Sequence, residues 1–354
     1  VKSVHEVSNE LDLNIEQLRL ISEIYKDFIR SGAQLSEESM SVLTEINQEL
    51  SSLTIEFDQN LLKETNEGYQ LVIADVEQLD GLPKDIVNQA KKLAQAEGYE
   101  GQWLFKPTRV SMYPFLTYST QRDLREKLYT SYTKRGDNNN KYDNKAIAIN
   151  IATLRLKRAK ILGYDSHADF VLDNTMAQTT DRVKDLLDRV WLPGLETAKK
   201  EAAEMQKMIE DEGDTFELAA WDWWYYSEKI RQLKYDFSEE EVKPYFSQAK
   251  VLQGAFDVAT KLFDITFKER FDLPKYRENI RTFEVKDLDG SPIGVFYTDY
   301  TLRSNKGGGA WMNSFVDQSK FDGIELPVVM NTCLLYTSDA ADDLLCVDLG
   351  GRRI

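Results

Sequence analysis

The sequence predicts a mainly α protein, a large helical body followed by a small β-sheet near the C-terminus. Three observations carry that prediction. Apolar residues recur at helical spacing over most of positions 1–271, and from Ile280 the period shifts to two. The chain has two cysteines, Cys333 and Cys346, so packing rather than a disulfide framework must hold so long a helical body together.

Leu18, Ile21, Tyr25, Phe28 and Ile29 define a first amphipathic helix, and Leu43, Ile46, Leu50, Leu53, Phe57 and Leu61 a longer second one. Ser31-Gly32-Ala33 and Ser36-Glu37-Glu38 punctuate the link, which predicts a helical hairpin. Pro83–Ala96 predicts a short helix closed by Gly98. The mixture of aromatics and prolines in Gln102–Pro107 and Met112–Phe115 predicts a strand or extended crossing, then a turn. Helices are predicted again over Arg122–Thr133 and Asn144–Leu162, with the Asn-rich run Gly136–Asn140 as the loop between them. Val183, Leu186, Leu187 and Val190 open a long helix to about Ile209 that Pro193 kinks or restarts. Further helices are expected at Trp221–Leu233, Glu239–Tyr245 and Leu252–Leu262.

Thr282–Lys286 and Ile293–Tyr297 alternate as strands around Asp289-Gly290, a hairpin signal because glycine takes the positive φ of a tight turn. Two more β segments are predicted at Gly309–Phe315 and Leu326–Asn331. These readings divide the chain into a helical body over 1–271, a small sheet over 272–332 and a segment over 333–354 that fits neither. That last segment is expected to be a non-native tail. The opening, without Met, reads as mid-protein sequence.

With 44 Lys plus Arg against 60 Asp plus Glu, the net charge of −16 repels a phosphate backbone, and nucleic acid is not expected as a partner. No apolar run approaches the roughly 20 residues that span a bilayer, so no membrane partner is expected. The cytoplasm is the expected compartment, with the periplasm as the alternative.

Residue types narrow the chemistry. The histidines are His5 and His167, so a three-histidine metal site is excluded. His167, in Asp165-Ser166-His167-Ala168-Asp169, reads as the start of a helix capped by Asp165 or Ser166. Gly307-Gly308-Gly309 lacks the Lys-Ser/Thr ending of a phosphate loop and reads as the approach to an edge strand. Glu239-Glu240-Glu241 and Asp287-x-Asp289 read as exposed helix and turn residues rather than an acid–base pair. In Trp221–Tyr226, Trp221, Trp224 and Tyr225 are expected to bury together, with cleft lining as the second reading.

Ordered blocks then match a known family. Trp221-Asp222-Trp223-Trp224-Tyr225-Tyr226-Ser227-Glu228-Lys229-Ile230-Arg231, Leu262-Phe263-Asp264-Ile265-Thr266-Phe267 and Gly294-Val295-Phe296-Tyr297-Thr298-Asp299-Tyr300 are among them. With Leu162–Asp169 and Arg122–Leu128, they make residues 1–332 resemble the thimet oligopeptidase and peptidyl-dipeptidase family of zinc metallopeptidases. The resemblance implies half of a bowl-shaped, helix-rich oligopeptidase whose channel admits short oligopeptides. It also implies zinc in the full-length parent, held by a His-Glu-x-x-His helix with a further Glu. No such motif occurs here, so this chain is expected to bind no zinc, to supply no catalytic residue and to be inactive alone. Family likeness places Gly309, Ala310 and Trp311 on an edge strand that binds substrate main chain to main chain. The reading from another class is a non-catalytic helical peptide-binding or scaffold protein.

Overall fold

The computed structural model describes residues 1–235, 245–301, 306, 309–321 and 323–333. Over these the protein is mainly α, with a mixed five-stranded sheet near the C-terminus. The chain forms two compact units, Val1–Tyr69 with Thr130–Ala219, and Gln70–Tyr129 with Ala220–Ile354.

The first unit holds α1 (Lys2–Glu6), α2 (Ile15–Arg30), α3 (Glu37–Glu67), α7 (Lys145–Ile161), α8 (His167–Leu172) and α9 (Thr180–Asp211). The N-termini of α2, α3, α8 and α9 carry the caps that polar residues at those positions supply. Asn14 accepts from Gln17 N at 2.9 Å while Gln17 Oε1 accepts from Asn14 N at 3.0 Å, closing a capping box on α2. Ser36 caps α3, Ser166 caps α8 and Thr179 caps α9. The helix lying along α3 is α7, where Ile46, Leu50 and Leu154 form a buried cluster with Leu53, Ile151 and Ile161 against it. The expected hairpin of α2 on α3 is therefore corrected. No residue of α2 is fully buried, and Phe28 is exposed.

The Asn-rich loop is tied down from within. Buried Glu64 accepts hydrogen bonds from Gly136 N, from Asn138 Nδ2 at 2.9 Å and from Asn140 Nδ2 at 2.6 Å. Asn144 Nδ2 donates to Phe57 O at 3.0 Å, which fixes the far end of the loop to α3.

The second unit holds β1 (Leu71–Ile73), α4 (Lys84–Ala96), β2 (Trp103–Phe105), α5 (Arg109–Tyr118), α6 (Arg122–Thr133) as far as Tyr129, α10 (Trp223–Tyr235) and α11 (Gln248–Phe263). It also holds β3 (Thr266–Arg270), β4 (Arg281–Lys286), β5 (Pro292–Asp299), β6 (Ala310–Val316) and β7 (Val328–Cys333). Where a turn was expected around Pro114, the chain is helical, because α5 buries Met112, Phe115 and Leu116 completely. Burial on that scale outweighs the roughly 3 kcal/mol an interior proline costs. The strand β3 lies in a stretch that reads as helical. Most of the expected helix Glu239–Tyr245 falls outside the described residues.

The sheet order is β3-β4-β5-β7-β6, with β5 and β7 parallel and the other pairs antiparallel. The β4–β5 hairpin turns at Gly290, φ 85°, as the Asp-Gly signal predicts. Phe256 of α11 stacks on Phe267 at 4.0 Å and meets Phe283 edge-on at 4.9 Å, which seats that helix on the sheet.

Candidate peptide-binding edge

Gly309 delivers the chain into β6 with φ 109°, a backbone conformation that residues with a Cβ rarely adopt. Space is not the reason for glycine here, since a Cβ would meet nothing within 4 Å. Ala310 then pairs with Cys333 and Trp311 with Thr332, in register with β7. β6 ends the sheet, so its other side presents main-chain donors and acceptors that no strand among the described residues pairs. The three residues expected from sequence are thus consecutive at the start of an edge strand. Ala310 is half-buried, while Trp311 at 40 % and Met312 at 67 % exposure put apolar side chains on that edge. Edge strands are ordinarily short, charged or covered, so an apolar one suits docking of another chain.

A buried ion pair fixes where this strand begins. Lys306 Nζ donates to Asp299 O at 2.6 Å, Asp299 Oδ1 at 3.2 Å and Thr301 O at 3.3 Å. The two side chains are 1 % and 2 % exposed. The second carboxylate oxygen of Asp299 accepts from Tyr276 OH at 2.8 Å. The ammonium thus has an acceptor for each of its three protons, the arrangement a buried charge requires. The pair joins the C-terminal end of β5 to the approach to β6, three residues before Gly309. Periodicity does not reveal it, because Lys306 stands in a Gly-rich stretch and Asp299 at a strand end. Gly307 and Gly308 of the glycine run fall outside the described residues.

A second buried charge centre organises the aromatic run. Asp222, fully buried, accepts from Arg122 Nε and Nη2 and from Arg125 Nη2, the last at 2.8 Å. Arg125 also donates to Ser119 O at 2.7 Å and lies over the Tyr225 ring at 4.3 Å. Tyr226 rather than Trp221, Trp224 or Tyr225 is the buried aromatic, which corrects the expected grouping. It lies one helical turn from Asp222, on the face that the two arginines draw inward. Trp224, half-buried, stacks on Tyr113 at 5.4 Å.

Among the described residues no group of three or more His, Cys, Asp or Glu side chains stands close enough to hold a metal. His5 stacks on Tyr25 at 4.0 Å. His167 begins α8 with its Nδ1 buried and unpartnered. Burial lowers its pKa, and Arg158 and Arg155 lower it further. Two cationic neighbours are the reverse of what a metal ligand needs. Asp287 and Asp289 lie in the exposed β4–β5 turn, and Cys346 lies outside the described residues. No helix among the described residues is long and apolar enough to cross a membrane.

Similarity to known proteins covers the regions just described. The dipeptidyl carboxypeptidase of Salmonella typhimurium is 34% identical over 334 residues, 94% of this chain and 49% of the relative. The oligopeptidase A of Haemophilus influenzae is 35% identical over 328 residues, 91% of this chain and 48% of the relative. That of Escherichia coli is 34% identical over 327 residues, with the same two shares. The chain therefore spans about half the length of the curated relatives it matches. Residues 115–345, which take in the Asp222 centre, the sheet and its edge strand, match peptidase family M3, and the chain belongs to that family.

Proposed function

We propose that the chain is the peptide-docking portion of a zinc metallopeptidase that hydrolyses short oligopeptides and releases dipeptides from their C-termini. The open edge of β6, entered through Gly309 and held by the Lys306–Asp299 pair, carries this reading. An extended peptide adds to such an edge through main-chain hydrogen bonds, which gives affinity with little regard to side chains. A peptidase of broad taste needs that property. Family membership and relatives named dipeptidyl carboxypeptidase and oligopeptidase A support the reaction class. We place zinc on polypeptide equivalent to the part of the relatives that this chain does not match, and the activity in the cytoplasm. The chain alone is then inactive and contributes binding only.

Paired proline substitutions test the docking edge. Successive residues of a strand point their N–H groups to opposite sides, so of Ala310 and Trp311 one faces β7 and the other the open edge. Proline at the open-edge position removes a donor to the peptide and leaves the β7 ladder intact. One of Ala310→Pro and Trp311→Pro is therefore expected to abolish binding of a short fluorescent peptide without lowering the melting temperature. Unchanged affinity in both variants would sink the reading. Zinc content and cleavage are read in parallel, for this chain and for one extended with the unmatched portion of a relative. Peptide binding without zinc or cleavage in the extended form would favour the scaffold reading instead.

A further inference from the structure

The basic run Arg155, Lys157, Arg158 and Lys160 ends α7, in a chain whose net charge is −16. Lys160 is compensated, since it pairs with Asp165 at 3.1 Å. Arg155 and Arg158 have no carboxylate partner among the described residues. They stand three residues apart, neighbours on one face of the helix. Burial lowers the pKa of Arg158 and the charge of Arg155 lowers it further, so the repulsion between the two is unrelieved. The same unit shows how it serves a guanidinium that has its anion. Arg30 and Arg158 both lie over the ring of Phe170, at 4.5 Å and 5.4 Å from its centroid. Arg30 donates to Asp173 Oδ2 at 2.7 Å, to Phe170 O at 2.6 Å and to Tyr164 OH at 3.3 Å. Arg158 has no such set, and its Nε is buried without an acceptor. The Nδ1 of His167 is buried without a partner as well, on a ring 6.4 Å from that of Phe170. Folded proteins rarely leave buried hydrogen-bonding groups unpartnered, and a bound ion is one of the usual reasons when they do.

We infer that Arg155, Arg158 and His167 form a binding site for a phosphate-type oxyanion, either inorganic phosphate or the phosphoryl group of a small phosphomonoester. The number of donors selects that chemistry. One carboxylate suffices for Arg30, whereas two guanidinium forks with an imidazole beside them suit an anion with three or more acceptor oxygens and more than one negative charge. A phosphoryl group carries about −1.5 to −2 at neutral pH. Arg155 is exposed, while Arg158 and His167 are half-buried, so an anion entering between the arginines is partly withdrawn from water. Charge-assisted hydrogen bonds gain strength there. The rest of so acidic a chain repels anions, which confines the attraction to this corner. The inference rests on neither zinc nor peptide binding, so it stands or falls apart from the proposed function.

The test titrates inorganic phosphate into the full chain at constant ionic strength, with chloride as the balancing anion, and follows the imidazole C–H resonances by NMR. Only two histidines contribute, and His5, stacked on Tyr25, is the internal control. The His167 signals are expected to move along a saturating curve while those of His5 stay in place. Arg155→Gln and Arg158→Gln should each weaken binding by about tenfold, the loss of one charge-assisted pair. Because Arg155 is exposed, its substitution leaves the fold intact even where that of Arg158 disturbs it. Lys157→Gln removes the same charge from another face of α7 and should change the affinity by less than about twofold. Repeating the titration with phosphoserine separates the sources: tighter binding than inorganic phosphate supports a phosphomonoester, and equal or weaker binding supports the free anion. The inference is overturned by a drift that does not saturate, by signals of both histidines moving alike, or by Arg155→Gln and Lys157→Gln having equal effects.

Discussion

Buried charge, more than apolar periodicity, decides where individual segments of this protein sit. Glu64, Asp222 and the Lys306–Asp299 pair each hold a loop or helix end that the apolar pattern leaves unspecified. None was legible in the sequence, because a carboxylate in a helix or an Asn-rich run looks alike whether solvated or enclosed. What the residues did show was local: the caps at Ser36 and Ser166, the Asp-Gly turn, and the glycine ahead of β6. Glu64 gives the sharpest residue-scale prediction. Burial raises its pKa, yet the hydrogen bonds from Gly136, Asn138 and Asn140 together outweigh burial and leave it below its ordinary value of 4.5. A carboxylate whose pKa is lower folded than unfolded stabilises the fold above its unfolded pKa. That contribution is lost as pH falls through the lowered folded value. Glu64→Gln puts an amide against donors and should cost about 2 kcal/mol at neutral pH. Its urea midpoint should also fall less steeply than the parent's below pH 4.5. Parallel acid limbs for the two proteins would show that Glu64 is not the group responsible.

At the scale of elements, the sequence was most legible where one period ran long and least where tertiary burial overrode a local signal. The helices α3, α7 and α9 and the β4–β5 hairpin follow their patterns, as does the placement of β6 and β7. The helix α5 does not, because Pro114 is a breaker whose cost is met by Met112, Phe115 and Leu116. The strand β3 was hidden because Thr266-Phe267-Lys268-Glu269-Arg270 follows a helix within three residues and carries three charges. Those charges are met across the ladder, as Arg281 pairs with Glu269 at 2.7 Å. What β3 offers the core is Phe267, and what it meets there is Phe256 of α11. The ring of Phe256 also contacts Phe283 and Phe296, so a single side chain links the helix to three strands. Phe256→Ala removes a half-buried ring and its stacking partners, and about 2 to 3 kcal/mol of stability should go with it. Hydrogen exchange should then quicken in α11 and β3 before β5 and β7. Equal acceleration throughout the sheet would mean that the ring is not the link.

At the scale of the whole molecule, the chain passes between its two compact units three times, at Tyr69–Gln70, Tyr129–Thr130 and Ala219–Ala220. Units assembled from separated stretches leave no mark on linear periodicity, which is why this division could not be read from the sequence. Each unit has a core and a buried charge centre of its own. In the first they are the Ile46, Leu50 and Leu154 cluster and Glu64, and in the second Phe115, Leu116 and Leu128 with the Arg122–Asp222–Arg125 group. Cores that share no residues need not melt together, and multi-unit chains commonly depart from two-state unfolding. Calorimetry of the full chain should therefore resolve two transitions. Asp222→Asn assigns them, because it leaves Arg125 buried without its anion, a loss of about 3 to 5 kcal/mol. For a unit of this size that is on the order of 10 °C in the melting temperature. The shift should appear in one transition alone, while Glu64→Gln should lower only the other. A single transition that both substitutions move would show that the two cores unfold as one.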